Sequence, residues 1–291
     1  MPTILITGAT GNVGLEVLKS LKNLTPLLNI KAAVRDVTLD SAKLKGHNVS
    51  VVQFDLTDSA TFTSALNNVD LVFLVRPPQI ANVKKYFKPF IDSAVQAGVK
   101  HIVFLSVQGV EKSSVIPHHK IETLLKDSNI HFTFLRPAYF MQNFTTTLRN
   151  DLANNQRIFL PAGNAKFTLV DVRDIGKVAA IVLNNPAAHI NKIYELTCNQ
   201  KFTFYEMAEK LSSGLGRDIQ YISPGMFTFY QTKRREKMPP MMILVMMILH
   251  VLPRFQTEPA VTDCIAKITG NAPTTFEQFI ADNKGLLTQQ K

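Results

Sequence analysis

The run MPTILITGATGNVG constrains this chain more than any other stretch. Three apolar residues, Ile4, Leu5 and Ile6, meet Gly8, Gly11 and Gly14, and a helical pattern follows. That order reads as strand, tight turn and helix N-terminus. Gly8 permits a turn that a Cβ would hinder. Gly11 lets backbone approach a pyrophosphate, and Gly14 lets the helix pack closely on the strand. The free N–H groups and the positive dipole end of the helix then face phosphate, with Thr10, Asn12 and Val13 completing the loop. Glycine spacing alone is weak evidence; its place at the first strand-to-helix turn gives it weight. The competing reading is an ordinary glycine-rich turn.

Short apolar runs and helical patterns then alternate. Strands are expected at 4–6, 30–34, 49–54, 71–75, 102–105 and 132–135. Helices are expected at 13–21, from 58–59 onward, at 83–97 and from 118 to 125. This alternation predicts an α/β fold, a Rossmann-type doubly wound parallel sheet covered on both faces. After about residue 140 the rhythm breaks. Short strands at 158–161, 167–170 and 194–197, an apolar helix at 175–183 and a Pro-interrupted remainder predict a small, mostly helical C-terminal substrate-side domain. The expected division is an NAD(P)-binding Rossmann domain over 1–150, with 166–185 returning to it, and a smaller substrate-side region over 151–291.

Two cysteines, Cys198 and Cys264, lie far apart and outside any metal-ligand spacing, so neither a disulfide scaffold nor a metal site is expected. No secretory signal precedes the first strand, and a cytoplasmic location is expected, with the nucleus left open. The net charge of +10 is spread along the chain; its densest group, Lys233-Arg234-Arg235 with Lys237, lacks interleaved aromatics. A solvated basic face is expected, and no nucleic-acid partner. The segment MMILVMMILHVL, residues 241–252, is too short to span a bilayer. It reads as a buried helix or a methionine-rich pocket wall in preference to a membrane-surface anchor.

Arg35 follows the second strand, where a dinucleotide fold meets the adenosine ribose. An acid there would bind the 2′-hydroxyl, whereas the planar guanidinium suits a 2′-phosphate. Asp36 points the other way chemically, and a surface role for Arg35 is the alternative. Asp55 ends the third strand and could accept from the adenine amino group while Leu56 packs the base. Val75 and Arg76 end the fourth strand beside the nicotinamide ribose, and Ser106 ends the fifth at the same crevice. Arg76 suits either a phosphate or substrate contact or a structural salt bridge.

These residues together resemble the NmrA-like family of atypical short-chain dehydrogenases and reductases. The resemblance rests on TGATGNVG (7–14), Arg35 of AAVRD, FDLTD (54–58), HHKIETLL (118–125), LRPAYFMQNF (135–144), LVDVRDIGKVAA (169–180) and the tail over 261–283. It implies a Rossmann domain with a small substrate domain and NADP binding. It also implies either reduction of quinones, azo dyes and other small conjugated molecules or cofactor sensing without turnover. The chain departs from the ordinary Tyr-x-x-x-Lys pattern. One register puts His118 in the lysine slot and Ser114 in the tyrosine slot; the other puts Lys120 and Ile116 there. His118 becomes the candidate proton donor, with Glu122 four residues on to orient or charge it. The stretch after the sixth strand could close over the nicotinamide, with Pro137 at the cofactor, Phe140 as a flat apolar surface and Asn143 as a polar handle toward substrate. Tyr139 is the nearest phenol. Phe227, Phe229, Tyr230 and the methionines near 241–247 suit an apolar pocket or simple core packing.

The expected activity is hydride transfer from NAD(P)H, with NADP(H) preferred over NAD(H), to a small conjugated acceptor such as a quinone. No metal is implied. The alternative is a non-catalytic NADP(H)-sensing regulator that binds a protein partner.

Overall fold

The computed structural model describes residues 2–24 and 28–289. In chain order the first unit carries β1 (Thr3–Ile6), α1 (Asn12–Leu24), β2 (Asn29–Val34), α2 (Val37–Asp40), β3 (Ser50–Gln53), α3 (Phe62–Leu66), β4 (Leu71–Val75), α4 (Val83–Gln96), β5 (His101–Leu105), α5 (Pro117–Lys126) and β6 (His131–Pro137). The chain then enters a second unit with β7 (Tyr139–Phe140), α6 (Arg149–Asn155), β8 (Arg157–Phe159) and β9 (Phe167–Val170). It returns to the first for α7 (Val172–Asn184) and β10 (Lys192–Leu196). The second unit resumes with β11 (Lys201–Phe202), α8 (Phe204–Leu215), β12 (Gln220–Ile222), α9 (Met226–Arg235) and α10 (Pro240–Val251). α11 (Cys264–Thr269) belongs to the first unit, and α12 (Phe276–Asp282) and α13 (Lys284–Thr288) close the second.

The first unit is built on a seven-stranded sheet ordered β10-β6-β5-β4-β1-β2-β3, with every neighbouring pair parallel. Strand order reverses between β1 and β4, the switch point at which an open α/β sheet leaves a crevice beyond its carboxyl ends. The strands qualify as central ones because their apolar residues bury on both faces: Ile4, Leu5 and Ile6 are fully buried, as are Val72, Phe73 and Leu74. α1 buries Val13, Val17, Leu18 and Leu21, one helical stripe, and packs on α7. α4 begins at Asn82, whose side chain accepts from the Lys85 N–H at 3.0 Å. It buries Phe87 and Phe90, and Phe90 meets Phe54 and Phe62 edge-on at 5.3 and 5.4 Å.

The second unit has its own core. Phe144, Phe204, Phe276 and Phe279 are fully buried there, and Phe159 stacks on Phe229 at 5.9 Å. Two small sheets, β11-β9-β7 and β12-β8, frame it, so this region carries more strand than its sequence pattern indicates. α8 starts with a capping box in which Thr203 and Glu206 satisfy each other's backbone N–H groups. Asp151 and Lys233 form a buried ion pair, with Arg157 donating to Asp151 at 3.0 Å and the exposed Glu236 also accepting from Lys233. Lys233 is therefore interior and leaves the basic surface group to its neighbours.

Several boundaries correct the sequence reading. The first unit closes at Pro137, not at 150, and takes back 172–196 and 263–272. The reasons are local: β10 pairs along β6 from Lys192 to Leu196, and α11 packs on α7 and β10. The segment expected to be buried at 241–252 is a helix with an outward apolar face, since only Ile243, Met246 and His250 of α10 are buried. Phe229 is core, whereas Phe227 is 73% exposed. Among the described residues no helix is long and apolar enough to cross a membrane. Cys198 and Cys264 are free thiols.

Candidate active site

Between β1 and α1 the backbone turns at Gly8, with φ +62°, and the Gly11 N–H donates to the Gly8 carbonyl at 2.9 Å. A Cβ at Gly14 would sit 2.2 Å from the Gly8 carbonyl oxygen, so the first turn of α1 lies directly on the loop. Thr7 anchors this arrangement across the switch point. Its hydroxyl donates to the Phe73 carbonyl at 3.0 Å and accepts from the Val75 N–H at 2.8 Å. Gly8, Gly11 and Asn12 are exposed, and no acidic residue stands in the first turn of α1. Backbone approach is thus open, and the positive end of the helix is not neutralised. A diphosphate fits this cradle, which any side chain at Gly14 would distort. Sequence reasoning did not single out Thr7; its place between strand and glycine was the available signal.

Arg35 stands exposed just past β2. Asp36 does not compete for a ribose, because its carboxylate caps α2 by accepting from the Leu39 N–H at 2.9 Å. After β3, Asp55 folds its carboxylate onto the Thr57 N–H and hydroxyl at 2.8 and 2.7 Å. Leu56 is buried in the cluster with Phe54, Phe62 and Phe90, so its side chain serves the core before any adenine.

The β4 and β5 ends are more heavily wired than their residue types suggest. Among the described residues Arg76 forms no salt bridge. Its guanidinium donates to the carbonyls of Pro77, Pro78 and Ile80 at 2.9–3.2 Å, and its Nε donates to His118 Nε2 at 3.3 Å. Burial first, and the Arg76 charge second, pull the His118 pKa down to about 3. The ring is neutral near pH 7, and acceptance at Nε2 assigns its proton to Nδ1. His118 can donate a hydrogen bond but carries no imidazolium proton to give.

Glu122 does not orient it. The Glu122 carboxylate is buried and takes two hydrogen bonds from Arg136, Nε to Oε1 at 3.0 Å and Nη2 to Oε2 at 2.7 Å. It also accepts the Ser106 hydroxyl at 2.7 Å, so Ser106 turns its Oγ inward and leaves the crevice. Glu111 completes the group on Arg136 Nη1 at 2.9 Å. Burial alone would lower the Arg136 pKa; the hydrogen bonds and charge of Glu122 reverse that and raise it. Pro137 ends β6 with its carbonyl accepting from the Gln108 N–H at 3.0 Å.

The structure thus collects Gly8, Thr10, Gly11, Asn12, Val13, Gly14, Arg35, Asp55, Leu56, Val75, Arg76, Ser106, His118 and Pro137 in the first unit. Phe140 and Asn143 belong to the second. There Phe140 pairs with Val170, and Asn143 hydrogen-bonds the Tyr139 hydroxyl, so its polar group is engaged. Tyr139 Oη also meets His250 Nε2 at 3.2 Å, while His250 Nδ1 donates to the Met246 carbonyl at 2.6 Å. Burial raises the Tyr139 pKa and lowers that of His250 to about 4. Tyr139 is a partly buried, neutral partner of a neutral histidine.

The model of the NmrA-like family matches residues 1–280 of the chain. The chain is 30% identical over 280 residues to an NAD(P)H azoreductase of Xenophilus azovorans, covering 95% of this chain and 96% of that protein. It is 31% identical over 222 residues to quinone oxidoreductase 2 of Escherichia coli, covering 75% of this chain and 76% of that one. The crystal structure of a Citrobacter triphenylmethane reductase complexed with NADP(H) superimposes with a TM-score of 0.85 at 25% identity, covering 96% and 99% of the two chains.

Proposed function

The chain belongs to the NmrA-like family, and we propose that it is an NAD(P)H-dependent oxidoreductase reducing a small conjugated acceptor such as a quinone, with NADP(H) as its preferred cofactor. The observation that carries the reading is the exposed backbone cradle of Gly8–Gly14 on an uncompensated helix end, one strand from the exposed cation Arg35. The azoreductase and quinone-reductase relatives supply the reaction class. They favour turnover over a purely sensing role.

When bound, NADPH supplies a hydride from the nicotinamide ring. The chain's own residues do the rest. The Gly8–Gly11 backbone and the α1 N-terminus hold the diphosphate. Arg35 pairs with the 2′-phosphate through its planar fork. Asp55 and the backbone at Leu56 border the adenine, and Val75 and Pro137 border the nicotinamide side. Arg76, tied to three carbonyls, fixes the β4 exit and His118 together. His118 then offers a neutral Nδ1–H to a ribose hydroxyl or to an acceptor oxygen. Neutral, it orients that oxygen, and water supplies the proton.

Purified protein with NADPH and NADH across a panel of quinones and azo dyes tests this. NADPH oxidation dependent on acceptor is expected, faster than with NADH. Tight NADPH binding with no oxidation across the panel would overturn the reductase reading and leave a cofactor sensor.

A further inference from the structure

We propose that α9, α10 and the turn that follows them form a docking surface for an anionic lipid bilayer, on which the protein lies peripherally. The inference is independent of the reductase reading. α10 is apolar around its whole circumference apart from His250, yet it buries only the stripe Ile243, Met246 and His250. Met241 is 70% exposed, and Leu244, Val245, Ile248 and Leu249 are about half exposed. Phe227 on α9, which packs against α10, and Phe255 after it are more exposed still. Single exposed apolar residues need no explanation, but an apolar surface of several hundred Å² marks an interface.

Charge decides what that interface meets. Arg234, Arg235 and Lys237 stand exposed where α9 gives way to α10, and Arg254 stands exposed beyond the far end of α10. None of the four is ion-paired among the described residues. Glu236 is the only acid from 219 to 257, and its carboxylate is bonded to the buried Lys233 at 2.8 Å. The apolar face is therefore rimmed by cations with no free acid among them. A second copy docked face to face about a two-fold axis would oppose the same cations to one another. Lipid phosphates neutralise them instead. α10 is about 18 Å long, well short of the roughly 30 Å apolar core of a bilayer, so it lies in the interface plane. Its side chains enter the acyl boundary while the arginines and lysine sit at the headgroups. Unbranched, flexible methionines suit a fluid partner that offers no fixed holes to fill.

Vesicle flotation of the full chain tests this, using pure phosphatidylcholine and phosphatidylcholine with about one-third phosphatidylglycerol. Flotation is expected with the anionic vesicles at low salt and not with the neutral ones. L244S/L249S should abolish it. R234Q/R235Q/K237Q should lower partitioning about five-fold per cation, roughly a hundred-fold in all. The altered side chains are exposed, so both variants should keep the parent's circular dichroism and melting temperature. The charge variant decides the matter even if the leucine variant melts early. Failure of the parent chain to float with anionic vesicles at low salt overturns the proposal, as does flotation unaffected by the charge variant. A concentration-dependent dimer that L244S/L249S dissociates assigns the face to a second copy and overturns it too.

Discussion

Replacing Glu122 with glutamine asks how much the carboxyl edge of the first unit depends on one buried charge. The Arg136 and Glu122 side chains are 10% and 3% exposed and share two hydrogen bonds of 3.0 and 2.7 Å. Glutamine keeps the volume and one acceptor but removes the charge, and it turns an amide donor toward either Arg136 or the Ser106 hydroxyl. Opposite charges about 4 Å apart in surroundings of effective dielectric about 20 attract by about 4 kcal/mol. Removing one member of a buried pair costs about 3–5 kcal/mol, because the other charge is left inside. Glu111 remains on Arg136 at 2.9 Å, but its side chain is 49% exposed, so its compensation is held to about 1 kcal/mol. The expected loss is therefore about 2–4 kcal/mol, read as a shift of the urea midpoint at unchanged slope. A double replacement, E122L/R136M, should recover most of it, since apolar groups of similar volume substitute for a buried pair at little cost. A loss for E122Q under about 0.5 kcal/mol, the range of ordinary surface changes, would refute the reasoning.

Three further outcomes are expected. G14A places a Cβ 2.2 Å from the Gly8 carbonyl oxygen, so the loop must move; calorimetric titration should show NADPH affinity lost, and unchanged affinity would rule out the cradle. R35Q removes charge-assisted bonds of about 1.5–3 kcal/mol, so the NADPH Kd should rise about ten- to one-hundred-and-fifty-fold while that of NADH stays put. An equal effect on both cofactors would remove the 2′-phosphate from its role. Burial, first among the causes, holds His118 neutral down to a pKa of about 3, and His101 and His250 down to about 4, against the ordinary 6.5. Below pH 6.5 the unfolded chain binds protons that the folded chain refuses. Stability should therefore fall between pH 6.5 and 4 by about 1.4 kcal/mol per pH unit for each histidine, and these groups should contribute no slope above 6.5. A melting temperature that holds or rises on acidification through that window would contradict this, as would a His118 ionisation in the pH profile of kcat/KM between pH 5 and 8.

What could be read from the sequence was what depends on neighbours along the chain. The strand, glycines and helix at 4–21 announce their geometry because a tight turn leaves few residue types acceptable, and β4 and the 102–105 run of β5 read as buried strands because they are apolar throughout. What was illegible depends on partners brought in from elsewhere. Glu122 stands one helical turn from His118, which suggested a pair; its carboxylate belongs instead to Arg136, on the next strand. Asp36 next to Arg35 leaves the ribose contact ambiguous in sequence, and the Asp36 carboxylate is in fact taken up by the Leu39 N–H. α10 defeats periodicity, because a helix that is apolar all round gives no sign of which side faces inward. The break at Pro137 was hidden as well, since β6 runs almost directly into β7.

That interleaving of the two units also bears on how the chain is made. The first unit needs three separated stretches, the last of them 263–272, and most of the second unit is threaded between. On a ribosome, β6 emerges long before β10, the strand that covers its edge from Lys192 to Leu196. During that interval the nascent sheet presents a row of unpaired backbone groups beside a buried-type apolar strand, an open template for mispairing with other chains. Domain-by-domain maturation is closed to this topology. The sheet gains its last strand only once Leu196 has been made, and the first unit is whole only after residue 272.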